Sequence, residues 1–211
     1  MVVEKRVHVD DTSQHVISEH GGASMYAGGM VGSVLLVLYW FALVATLGAA
    51  AALSVLAWRT PRAVFVYAAT GLLGISLILA AVPTGESGFA LQALVSILAL
   101  GIAVLGGGPA AALSLRMASR GVAEGEHGGI IQDGGEVLRG GTAVGILERL
   151  AMAGVILAGF PEGIAVIVAI KGVGRFTELD AAATRERFII GTFVSLIWAA
   201  AAIGVAILAR S

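Results

Sequence analysis

Apolar residues in this chain run in long blocks rather than in alternation, and polar residues collect between the blocks. Gly28 to Trp58 is one apolar run of 31 residues. A helix of about 20 apolar residues crosses the hydrocarbon core of a bilayer, so this block exceeds a simple crossing. Either the span is 39–58 with an apolar lead-in, Tyr39–Trp40 and Trp58 marking two interfacial belts, or the helix is tilted. Arg59-Thr-Pro-Arg62 ends it. Ala63–Val82 predicts a second span, closed by Pro83-Thr-Gly-Glu-Ser-Gly88. Phe89–Leu113 predicts a third, whose last turns Gly106-Gly107-Gly108-Pro109 should kink or unwind.

After a long polar connection, Ser114–Thr142, apolar sequence resumes in three blocks: Ala143–Gly159, Ile164–Gly174 with its flanks, and Phe188–Ala209. The first two are short and turn at Phe160-Pro161-Glu162-Gly163, so 143–176 reads as a helical hairpin, either two full spans or a re-entrant segment. The expected fold is all-α: a polytopic transmembrane helical bundle of about six spans, three on each side of the Gly-rich loop. The organisation follows as a polar N-terminal tail (1–24), a three-span half (25–113), a Gly-rich cytoplasmic loop (114–142) and a second three-span half (143–211).

Composition supports lipid as the main solvent. Of 211 residues 58% are hydrophobic and 13% charged, and 30 glycines raise the apolar-plus-glycine share to about 72%; mean hydropathy is +0.94. Ordinary soluble domains are about 45–50% apolar and about 25% charged, and a soluble fold of this size has too little interior for the difference. A net charge of −1 provides no basic field for nucleic acid. The absence of cysteine removes disulfides, thiolate metal sites and catalytic thiols. Charges at Glu4, Lys5, Arg6, Asp10, Asp11 and Glu19 precede the first apolar run, the wrong order for a cleavable signal peptide.

The few charges also predict orientation. If the first span runs inward, ten of the 13 Lys and Arg residues fall on or near the inner side, leaving Lys5, Arg6 and Arg210 outside. By the positive-inside rule both termini face outward.

Candidate chemistry lies in the second half. Glu148 and Arg149 stand about two turns inside the fourth block, where charge is expensive enough to need a partner or a purpose. Folding the hairpin at Phe160/Pro161 puts Glu148 level with residue 173, flanked by Lys171 and Arg175. Thr192 and Ser195 reach a similar depth on the last helix. The expected polar cluster is therefore Glu148, Arg149, Lys171, Arg175, Thr192 and Ser195, with Glu162, Phe176, Glu178 and Arg187 as secondary candidates. It reads either as a proton or anion site, or lipid head-group pocket, or as a buried ion pair that fixes helix register while Arg149 and Arg187 snorkel to the inner interface.

The pattern Gly145-x-x-Glu148-Arg149, a mid-hairpin Gly159, Ala169-x-Lys171, Arg175-Phe176-x-Glu178-Leu179 and Ile190-Gly191-Thr192 resembles the C-terminal membrane region of a group of uncharacterised bacterial integral membrane proteins. The resemblance covers about 145–195 and implies that these residues act as a unit; it names no activity. Phe160-Pro161-Glu162-Gly163-Ile164-Ala165 is similar to a segment of ZIP-type zinc transporters. There a His two residues before the Phe-Pro pair binds metal with the Glu; here that position is Ala158, no His lies in a span, and the second His-Glu motif is missing. Zinc prefers His, Cys and carboxylate together, so Glu162 reads as a turn residue.

The remaining features are weaker. His8, His15 and His20 with nearby acids read as a solvated tail, Val2–Val9 alternates partly like a strand, and the Gly-rich loop lacks a phosphate-cradle ending. Gly71, Gly74, Gly101, Gly154, Gly159, Gly163, Gly172, Gly174, Gly191 and Gly204 read as close-approach points between helices. No catalytic, cofactor or metal set emerges. The expected function is a structural or accessory subunit of an assembly in the bacterial cytoplasmic membrane, with membrane lipids and other subunits or itself as partners and no nucleic acid. The alternative is a small transporter or binding site for protons or an organic or lipid anion.

Overall fold

A computed structural model describes residues 11–84, 87–118, 131–132, 135–136, 141–174 and 182–210. Among these the protein is all-α, with six helices: α1 (Asp11–Arg59), α2 (Ala63–Ala80), α3 (Phe89–Ala118), α4 (Gly141–Leu157), α5 (Gly163–Gly174) and α6 (Ala182–Leu208). The Gly-rich connection contributes one two-residue antiparallel ladder, Ile131 opposite Glu136 and Gln132 opposite Gly135. Val2–Val9 lies outside the described residues.

Four stretches are long and apolar enough to cross a membrane: Met30–Arg59, Ala63–Ala80, Phe89–Ala118 and Thr184–Leu208. The protein is therefore a membrane protein. α4 and α5, with 17 and 12 residues, fall short of the roughly 20 that a crossing requires. The six helices expected are therefore present as four of spanning length plus the short α4–α5 hairpin. Helix also begins earlier than the apolar pattern indicates, at Asp11 for α1 and Ala182 for α6. Backbone hydrogen bonding carries a helix beyond its apolar block where no breaker intervenes.

The chain divides into two units, residues 1–41 and 42–211. In the first, the apolar side chains from Met30 to Leu38 are largely exposed, and Tyr39 and Trp40 meet edge to face at 5.3 Å. In the second, each long helix buries a narrow stripe. On α1 it is Leu43, Leu47, Ala50, Ser54 and Ala57; on α2, Val66, Ala69, Leu73, Ser76 and Ala80. Spacings of three and four place each set on one helix face. Small members let backbones approach, the packing mode of helices that lipid does not drive together. Buried hydroxyls join in: Ser76 Oγ donates to Thr46 Oγ1 at 3.0 Å.

α3 and α6 pack along one another. Their antiparallel register is set by Arg210 donating to Ser96 at one end and by Leu115 against Gly191 at the other. The Gly106–Pro109 sequence neither interrupts nor unwinds α3, which stays helical to Ala118 with Pro109 inside it. Proline removes one helix hydrogen bond; in the turn before it Trp198 packs against Gly106 and Arg149 against Gly107.

At the end of α4 the chain reverses through a glycine-centred cap. Gly159 takes φ 71°, Phe160 N–H bonds to the Val155 carbonyl at 2.9 Å, and Gly159 N–H bonds to the Ile156 carbonyl at 3.1 Å. These are the two bonds of a Schellman motif. Gly163 then fits against Val155 and Phe160, so closely that a Cβ there would stand 2.8 Å from Val155 Cγ1.

Candidate functional site

Glu148 and Arg149 sit in the middle of α4 and point to different neighbours. Glu148 turns toward α5, where Lys171 Nζ donates to its Oε2. The pair is half-buried, with 16% of the Glu148 side chain and 19% of the Lys171 side chain exposed. Lys171 also lies over the Phe188 ring, 5.8 Å from its centroid, which ties the hairpin to the start of α6.

Arg149 turns the other way and is only 5% exposed. Its Nε donates to the Val104 carbonyl of α3 at 2.7 Å, and its Nη1 donates to Ser195 Oγ of α6 at 3.2 Å. One side chain on α4 therefore holds α3 and α6 together. Two glycines make this possible. A Cβ on Gly107 would stand 2.6 Å from Arg149 Cδ, and one on Gly145 would stand 3.2 Å from Arg149 Nη1. Gly145 precedes Arg149 by four residues on the same helix, so it clears the surface over which the guanidinium folds back. In Gly145-x-x-Glu148-Arg149 each named residue thus has a distinct job: space, partner for α5, and tether to α3 and α6.

The next turn repeats the arrangement with an indole. Trp198 Nε1 donates to the Ile102 carbonyl at 3.0 Å, and a Cβ on Gly106 would lie 2.5 Å from that nitrogen. Gly106 and Gly107 open the surface of α3 so that two large donors reach its backbone. The charge count is uneven: Arg149 and Lys171 bring two cations, and among the described residues Glu148 bonds Lys171 while Arg149 bonds no carboxylate.

Of the residues expected to cluster, Glu148, Arg149, Lys171 and Ser195 are brought together. Thr192 is buried one turn before Ser195, and its Oγ1 has no hydrogen-bond partner. Arg187 is half-buried near the start of α6, and Glu162 is exposed at the hairpin turn. Arg175, Phe176 and Glu178 lie outside the described residues. Arg149 does not snorkel: it is buried, and its donors go to a carbonyl of α3 and a hydroxyl of α6. Among the described residues, no group of three or more His, Asp or Glu side chains could hold a metal ion.

Sequence reasoning missed Gly106, Gly107, Trp198 and the Val104 carbonyl. The available signal was three successive glycines in an apolar helix, which leave a continuous bare patch around it and so predict a bulky side chain from a neighbour. Comparison with protein-family models, curated proteins and solved structures gives no match.

Proposed function

We propose that this chain is a structural or accessory subunit of an assembly in the bacterial cytoplasmic membrane, and that its charged cluster clamps the bundle. The observation that carries this reading is where Arg149 directs its donors. A buried guanidinium that bonds one neighbouring helix by a carbonyl and another by a hydroxyl acts as an interhelical tether, and the Glu148–Lys171 pair extends the tether to α5. Polar groups in a membrane bundle gain most when they satisfy one another across helices.

The topology in this reading keeps both termini outside. A re-entrant α4–α5 hairpin returns to the side from which it came, as two full crossings also would, so the direction of α6 is the same in either case. The resemblance of 145–195 to uncharacterised bacterial membrane proteins belongs with this reading, since each quoted charge between Glu148 and Lys171 has a packing task. Partners, or a second copy, would meet the apolar sides of α2 and α5, where Ile78 and Val173 are among the exposed side chains.

One specific observation favours the second reading, an anion site: two cations against one carboxylate, with the Thr192 hydroxyl unpartnered nearby on α6. Glu148→Gln and Lys171→Met, singly and together, separate the two. Assembly is followed by native electrophoresis in mild detergent, and ligand response by the thermal shift on adding acetate or phosphate. A clamp predicts that each single change weakens assembly and that the double change recovers it, because the unpaired partner does the damage. Assembly unaffected in all three variants, with an anion-dependent shift lost, overturns the clamp and leaves the anion site.

A further inference from the structure

A second basic feature stands apart from the Glu148–Arg149–Lys171 cluster. Between the α1–α2 turn and the last turns of α3 lies a small, shallow cleft open to the surface. Its origin is in the sequence. Ala57, Ala63 and Ala112 are too small to fill the gap, and Pro61 and Pro109 add short rigid walls. Arg62 and Arg116 stand at its polar edge, both exposed. Neither guanidinium has a hydrogen bond or ion pair to a described residue, in contrast to Arg149. Tyr67 Oη donating to Met117 Sδ at 3.4 Å places the start of α2 and the end of α3 at one level.

Three properties converge on one ligand chemistry. Two unpaired guanidinium groups match phosphate oxygens, which accept their planar forks in bidentate fashion. α2 begins at this cleft with no side-chain cap, so its first-turn amides add positive potential beside Ala63. The remaining walls are apolar, as a group carrying hydrocarbon below its phosphate requires. Basic pockets between transmembrane helices on the cytoplasmic side are recognised by anionic head groups in this way.

We infer that the Arg62–Arg116 cleft binds a phosphate-bearing group, either the head group of an anionic phospholipid or free phosphate. The inference does not depend on the role assigned to Arg149, whose atoms are bonded elsewhere.

The test uses the full chain in phosphatidylcholine nanodiscs, with and without phosphatidylglycerol, and counts lipid retained per chain by native mass spectrometry after release into detergent. A parallel arm adds inorganic phosphate to pure phosphatidylcholine discs and reads the thermal shift. Wild type should retain phosphatidylglycerol preferentially if the source is lipid, or respond to inorganic phosphate if the source is free. Arg62→Gln with Arg116→Gln should weaken the effect by about 30-fold, two contacts at the scale of one basic residue near an anionic surface. Arg62→Lys with Arg116→Lys, which keeps the charge, should retain part of it and shows that the fold survives.

Arg59→Gln is the control, since Arg59 is exposed three residues before Arg62 and does not line the cleft. If Arg59→Gln lowers retention as much as the double glutamine change, general surface charge explains the binding and the cleft has no part in it. Equal retention by wild type and the double glutamine variant, with no phosphate shift in either, also overturns the inference.

Discussion

Gly107→Ala adds one methyl group at the point where α4 is tethered to α3. That methyl would stand 2.6 Å from Arg149 Cδ and 3.3 Å from Ser195 Oγ. Arg149 cannot swing aside freely, because its guanidinium is bonded to Val104 and Ser195 just beyond the collision. Alanine favours helix over glycine by about 0.8–1.0 kcal/mol. Against that stand overpacking at about 1–3 kcal/mol and the loss of one charge-assisted hydrogen bond at about 1.5–3 kcal/mol. The net is a destabilisation on the order of 3 kcal/mol.

Gly101→Ala on the same helix meets nothing within 4 Å and should stabilise by up to about 1 kcal/mol. Equilibrium unfolding in mixed micelles measures both. A double-mutant cycle with Arg149→Ala isolates the collision, since removing the side chain should make Gly107→Ala nearly harmless. If Gly107→Ala proves as stable as Gly101→Ala, the tight fit between Arg149 and α3 is refuted.

Other substitutions probe single contacts between the helices. Trp198→Phe keeps the ring against Gly106 and deletes its bond to the Ile102 carbonyl, so it should cost about 1 kcal/mol in the same unfolding assay. Ser195→Ala leaves Arg149 Nη1 without that acceptor and should cost about 1.5–3 kcal/mol, while Thr192→Val, at a hydroxyl with no partner, should be neutral or stabilising. Gly159→Ala forces a side chain into φ 71°; a loss of about 1–2 kcal/mol is expected, together with faster proteolysis at the hairpin turn.

Several glycines show how a sequence pattern and a folded contact can part company. Gly71, Gly74, Gly101, Gly154, Gly172 and Gly174, each expected at a close helix approach, meet nothing within 4 Å. Gly106, Gly107 and Gly163 are the positions where an added Cβ would collide. Small residues permit close approach, but which permission is used depends on where the neighbouring helix lies. A large partner gave the better clue: Trp198 and Arg149 each need an opening, and three adjacent glycines on α3 supply it.

The membrane character, the helical class, the hairpin turn at Phe160–Gly163 and the placing of Glu148 level with Lys171 and Arg175 were legible in the sequence, while the structure supplied Lys171 as its partner. All of these are short-range or compositional: block length sets burial in lipid, proline and glycine set the reversal, and folding two helices about a known turn sets which residues are level. Tertiary structure alone decided that Arg149 reaches the backbone of α3, that α3 passes Pro109 unbroken, and that Arg62 and Arg116 share a cleft. These depend on the azimuth at which helices distant in sequence meet. Spacing along one helix fixes which residues share a face, and only packing decides what that face touches.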